Sequence, residues 1–188
     1  MKPVGIYLNR LFEDRKSSSD LFIYHYTNTK LSKINKQGIL SLYGLYHKDP
    51  ASYEKAIQGY LPRIKAKLGK KDEYNIEDIQ KFFDLIGIDV KSIFFSFWEI
   101  IPGLHKERDD FIKNATLIKL NIKKLKPSWK YNLINASKVT PLPFNQIKKY
   151  CEMDSEKYQK KQGGKFIFTN IPHLAVIPPD GVIPKNFF

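Results

Sequence analysis

The first apolar run is Leu21-Phe22-Ile23-Tyr24, short and aromatic, a pattern that predicts a buried strand closed by the polar triplet His25-Tyr26-Thr27. Leu31 and Ile34, three apart, then mark a short helix that Gly38 stops as a C-terminal cap would. Ile39-Leu40 reads as a further short strand, with Tyr43, Tyr46 and His47 in a loop beyond it. Asp49-Pro50 is a helix start, Asp as N-cap and Pro in the first turn. Tyr53, Ile57, Tyr60, Ile64 and Leu68 follow at helical spacing until Gly69, and Pro62 inside the pattern predicts a kink or two shorter helices. A last early helix opens at Asn75 with Glu77 and Asp78 in its first turn. Its apolar face is Ile76, Ile79, Phe82, Phe83 and Ile86, and Gly87 ends it. Residues 49–87 thus form a helical insert.

From Val90 the pattern changes to strands. SIFFSFW, residues 92–98, is nearly continuous and predicts a central strand buried on both faces. A charged loop over residues 102–110 carries His105, and residues 115–122 alternate as a half-buried strand does. Further strands are predicted over residues 129–134, 165–169 and 173–177, and helices over 144–150 and 154–161, the second broken by Gly163-Gly164. Pro178-Pro179-Asp180-Gly181 is a turn, and residues 1–20 read as a polar lead-in with one short element over 4–12. Six or seven strands with helices clustered early indicate an α+β fold, its sheet mixed but mainly antiparallel.

At 188 residues, one domain is expected, and the 42% hydrophobic content excludes general disorder. A single cysteine, Cys151, excludes an internal disulfide framework and a Cys-based zinc site, and fits a reducing, cytoplasmic setting. No apolar run is long enough to predict a membrane-spanning helix, and the first twenty residues lack the apolar region of a secretory signal. The net charge of +13 points to a polyanionic partner, but the excess is nearly all lysine, with Arg10, Arg15, Arg63 and Arg108 as the arginines. A merely lysine-dressed surface therefore stands equally with a nucleic-acid-facing one. No two histidines have metal-ligand spacing on one element, and Gly163-Gly164 lies between helix and strand in the wrong order for a phosphate loop.

The clearest chemical group is His25 with Thr27, which share a strand face while Tyr26 points the other way. A histidine and a hydroxyl so placed suit a ribose or phosphate. The alternative is a histidine held by that hydroxyl or by a main-chain carbonyl at the strand end. His-x-Thr is also half of the two-histidine phosphoesterase signature, for which His173-Leu174-Ala175 is the later candidate, without the hydroxyl. A non-catalytic nucleic-acid binder using the lysines and aromatics is a third class.

The order Tyr24-His25-Tyr26-Thr27, Leu31, Ile34, Gly38-Ile39-Leu40 resembles the first motif of the ADP-ribosyltransferase superfamily. Its closest flavours are the small toxin branch and the nucleic-acid-modifying branches, which include DNA-targeting toxins and RNA 2′-phosphotransferases. The resemblance implies a split mixed β-sheet with the helical insert after the first motif. It also implies NAD as co-substrate and transfer of ADP-ribose to a macromolecule, nucleic acid favoured by the charge. On it, His25 would bind a ribose hydroxyl, with Tyr26 and Thr27 beside the dinucleotide. In Phe94-Phe95-Ser96-Phe97, Ser96 would brace the site and Phe95 or Phe97 would stack on nicotinamide. The family commonly places a Glu near a late strand. Here His173 stands there, Glu99 after the central strand is the alternative, and Glu152 and Glu156 lie on predicted helices. The catalytic candidates are therefore His25, Glu99 and His173. Without that Glu, a phosphotransferase-type site would use Arg63 and Arg108 on phosphate.

Overall fold

The computed structural model describes residues 20–69, 73–99, 114–135, 138–153, 159–162, 165–168 and 172–188. The chain opens with β1 (Phe22–Thr27), α1 (Leu31–Gln37) and β2 (Ile39–Leu40), then runs through α2 (Leu42–Lys48), α3 (Pro50–Gln58), α4 (Leu61–Leu68) and α5 (Ile76–Leu85). It continues as β3 (Ile93–Ser96), β4 (Thr116–Asn121), β5 (Lys130–Asn135), β6 (Lys138–Pro141) and α6 (Ile147–Glu152). Strands β7 (Gln159–Gln162), β8 (Lys165–Phe168), β9 (His173–Ile177) and β10 (Val182–Ile183) complete it. Six strands form one sheet in the order β4-β1-β3-β9-β5-β6. The fold is α+β, and each neighbouring pair in this sheet is antiparallel, where a mixed sheet was expected.

Register explains the core. Ile23 lies opposite Leu120, Phe95 opposite Leu174, and Leu174 opposite Leu133. Directly opposed residues share a sheet face. This face buries Ile23, Phe95, Phe97, Leu120, Leu174 and Val176 against Ile34 of α1 and Ile147 and Cys151 of α6. The helical insert has its own cluster of Tyr53, Ile64, Ile79, Phe82 and Phe83, joined by Val90. Its boundaries follow local chemistry. The Asp49 carboxylate accepts from Ser52 N, Asn75 caps α5, and Pro62 sits in the first turn of α4 as the second of two short helices.

Four expectations need correction. Tyr43, Tyr46 and His47 lie in α2, not in a loop, because the Ser41 hydroxyl accepts from Gly44 N and starts a helix there. Residues 159–161, expected in a helix, belong to β7, which pairs with β8. β3 is not buried on both faces, since Phe94 is 38% exposed. The sheet is antiparallel rather than mixed among the described strands. The lead-in over residues 4–12, His105, Arg108 and Glu156 lie outside the described residues.

β2 and β10 form a two-residue ladder, Leu40 opposite Val182 and Ile39 opposite Ile183, extended by Ser41 N donating to Gly181 O at 2.8 Å. Gly38 enters this ladder at φ 81°. Among the described residues no helix is long and apolar enough to cross a membrane.

Candidate functional site

β1 and β3 are in ladder register at Tyr24 and Ser96. Beyond that pair, towards Thr27 and Ile93, the side chain of His25 takes over the bridging. Its Nδ1 lies 2.9 Å from the carbonyl oxygen of Phe94. A carbonyl only accepts, so Nδ1 carries the hydrogen and Nε2 of the neutral ring carries the lone pair. The ring also tilts against Phe95, centroids 5.4 Å apart. Burial pushes the imidazole pKa below its ordinary value, and the bond to Phe94 opposes this less strongly. At neutral pH the ring is uncharged, with one nitrogen able to accept.

His25 lines a pocket of about 170 Å³ at the seam between the sheet and the helical insert. Ala56 and Tyr60 close it from the α3–α4 corner, Phe83 from α5, Asp89 and Ser92 from the approach to β3, and Phe94 from β3 itself. Ser41 also lines it, but its hydroxyl is engaged by Gly44 N. Ser92 differs: it is 7% exposed, and its Oγ has no hydrogen-bond partner among the described residues. Asp89 accepts from Lys91 N at 2.8 Å through Oδ1. One accepting nitrogen, one free hydroxyl and one carboxylate thus border a small, mostly apolar space.

The other candidate residues are placed elsewhere. Tyr24 is opposite Ser96, and Ser96 opposite His173, so these three share the face away from the core. His25, one residue on, leaves the sheet on the core side with Phe95. His25 and His173 therefore project from opposite faces, and Tyr26 projects opposite to His25 as expected. The Ser96 hydroxyl donates to Trp98 O at 2.6 Å and accepts from Trp98 N, bracing the end of β3. Glu99 pairs with Lys119 at 3.0 Å, and that ammonium also sits over the Tyr24 ring. Thr27 Oγ1 donates to the Thr29 hydroxyl and accepts from Thr29 N, which turns the chain into α1. Phe95 is 1% exposed and offers no ring face to a ligand. Arg63 is exposed on α4, a turn beyond Tyr60. Glu152 ends α6 in an exposed pair with Lys148.

Among the described residues, Phe95 is the sequence candidate whose ring meets that of His25. The insert and the approach to β3 supply Asp89, Ser92 and Tyr60, which sequence reasoning did not single out. Ser92 carried a readable signal, a hydroxyl at the head of an apolar run. Asp89 carried none beyond its place after Gly87. No three His, Cys, Asp or Glu side chains are grouped to hold a metal ion among the described residues. No protein-family model matches the chain, and neither a curated protein nor a solved structure matches it.

Proposed function

We propose that the chain is an ADP-ribosyltransferase-like protein whose His25 pocket takes one ribose of an NAD-like dinucleotide for transfer of ADP-ribose to a macromolecule, nucleic acid favoured by the charge. The observation that carries this reading is the bond from His25 to the Phe94 carbonyl, which leaves Nε2 as the accepting nitrogen of a pocket-lining imidazole. The unpartnered Ser92 hydroxyl supports it, since a buried hydroxyl gains most from a polar ligand. At about 170 Å³ the pocket suits a single ring rather than a whole dinucleotide. Sites that enclose drug-sized ligands run to about 300–1,000 Å³. The remainder of the dinucleotide would lie outside it.

In the transfer, the bond from ribose C1′ to the nicotinamide nitrogen breaks and nicotinamide leaves with the electron pair. An acceptor nucleophile then bonds to C1′ and loses its proton to solvent. The ribose is cationic between these events, and a carboxylate nearby stabilises it. Asp89 suits that role better than Glu99, whose charge is engaged by Lys119 on the other face. A two-histidine phosphoesterase reading lacks comparable support, because His25 and His173 leave the sheet on opposite sides. The test is NAD-dependent thermal stabilisation and labelling of protein or nucleic acid from labelled NAD. His25→Ala should abolish both, and Asp89→Asn should lower labelling more than binding. A wild-type protein without any NAD-dependent shift or labelling sinks the proposal.

A further inference from the structure

A few of the lysines that gave no dense run in the sequence stand near one corner of the fold. The 3₁₀ turn Ile122–Lys124 follows β4, a second 3₁₀ turn Lys185–Phe187 follows β10, and β5 starts between them at Lys130. The rings of Trp129 and Phe187 stack at this junction, centroids 5.2 Å apart and nearly parallel. The Lys126 ammonium lies over both, 5.8 Å from the Trp129 centroid and 5.6 Å from that of Phe187. Lys124 Nζ reaches Asn186 O at 3.4 Å, beside Lys185. Lys123, Lys124, Lys126, Lys130 and Lys185 are all exposed. Asp20 pairs with Lys123 at 2.7 Å, and the other four have no carboxylate partner among the described residues.

We infer that this corner is a docking surface for the phosphate backbone of a nucleic acid. Lys124 and Lys185 stand on the two short turns and Lys126 two residues after the first, so ordered chain segments set their spacing, whereas Lys130 leaves the sheet on the other face with Ile177. The two stacked rings hold the Lys126 ammonium above them, but they are buried and cannot stack on bases. The contact is therefore electrostatic and indifferent to base sequence. An anionic membrane would need apolar side chains to insert beside the charges, and the aromatic rings of this corner face inward. The inference is independent of the dinucleotide pocket, whose lining includes none of these lysines.

The experiment is fluorescence-anisotropy titration of a short labelled DNA duplex of arbitrary sequence at several salt concentrations. Each neutralised phosphate contributes about −0.9 to the slope of log K against log salt, so the three unpaired lysines Lys124, Lys126 and Lys185 give a slope of about −3. Lys124→Glu/Lys126→Glu/Lys185→Glu should cut affinity roughly tenfold or more at moderate salt and flatten the slope by about three. Lys65→Glu/Lys67→Glu/Lys81→Glu changes the net charge equally on the helical insert and should retain the slope. Should the first triple variant fail to fold by circular dichroism, Lys→Gln at the same positions is used, with the same flattening expected. Equal losses in both triple variants would show a net-charge effect and overturn the inference. So would binding to phosphatidylserine vesicles with no measurable affinity for the duplex. His25→Ala should leave the titration unchanged, which separates this surface from the pocket.

Discussion

Gly38 links the fold to the pocket wall, and Gly69 provides its control. Gly38 ends α1 at φ 81° and ψ −172°, a conformation that side chains with a Cβ avoid. A Cβ there would fall 2.3 Å from the carbonyl oxygen of Ile183. Gly69 ends α4 at φ 84° and ψ 170°, nearly the same backbone, yet its Cβ would meet nothing within 4 Å. Alanine at either position incurs backbone strain of about 1–3 kcal/mol. Gly38→Ala must in addition separate Ile39 from Ile183, and overpacking of this kind costs about 1–3 kcal/mol more. The expected losses are therefore about 1–3 kcal/mol for Gly69→Ala and about 2–6 kcal/mol for Gly38→Ala. Against a typical total of about 5–15 kcal/mol, the second is severe. Urea unfolding of both variants measures the difference. Ser41 lines the pocket and is bonded to Gly181 at the end of the same ladder, so Gly38→Ala should also weaken any NAD-dependent stabilisation. Gly69→Ala should not. Equal destabilisation by the two substitutions would refute the claim that the β2–β10 contact sets the cost.

Three further outcomes follow from named groups. Ser92→Ala removes a buried hydroxyl that lacks a partner, so stability should hold or rise by up to about 1 kcal/mol while affinity for a hydroxylated ligand falls. Urea melts and ligand titration of one protein sample check both halves. The imidazole of His25 binds a proton less readily in the folded chain than in the unfolded one. Its stabilising contribution is thus complete above the ordinary pKa of about 6.5 and is lost as pH falls from there through the lowered folded value. His25→Gln should flatten this part of the stability profile between pH 8 and 5, and an unchanged profile would contradict the assignment. Asp49 caps α3 and is hydrogen-bonded and ion-paired to Lys33, which lowers its pKa to about 2. Asp49→Ala should cost about 0.5–2 kcal/mol at neutral pH. The gap from wild type should narrow below the ordinary carboxylate range and close as pH falls through about 2.

The elements legible in the sequence are those whose ends are decided locally. Asp49-Pro50, Pro62, Asn75 and Gly87 each act within a turn of themselves, and the helices of the insert begin and end near them. α2 was hidden because its reasons are tertiary. Gly44 sits inside it, a residue that disfavours helix by about 1 kcal/mol. It is needed there because a Cβ would fall 2.7 Å from the carbonyl of Gly181, more than a hundred residues away in sequence. β7 was hidden for the converse reason. Gln159-Lys160-Lys161-Gln162 are ordinary helix formers, and only pairing with Lys165–Phe168 makes them a strand.

The candidate site divides along the same line. That His25 and Thr27 share a face follows from strand parity and needs no structure. Which residue of β3 joins them depends on register between segments about seventy residues apart, and a slip of one residue reverses every side chain. Here the hydrophobic effect decides. The observed register buries Phe95, and with it Phe97, beside Ile23, Leu120 and Leu174. The alternative would exchange these rings for Phe94 and Ser96 at about 1.5–3 kcal/mol for each large side chain exposed. Core packing thus assigns Phe95 to His25 and sends Ser96, with His173 opposite it, to the other face. Chain order alone had grouped all of them. What remains open beside the imidazole is filled by the helical insert and by Asp89 and Ser92 on the way into β3. Any chemistry at His25 must therefore use those groups.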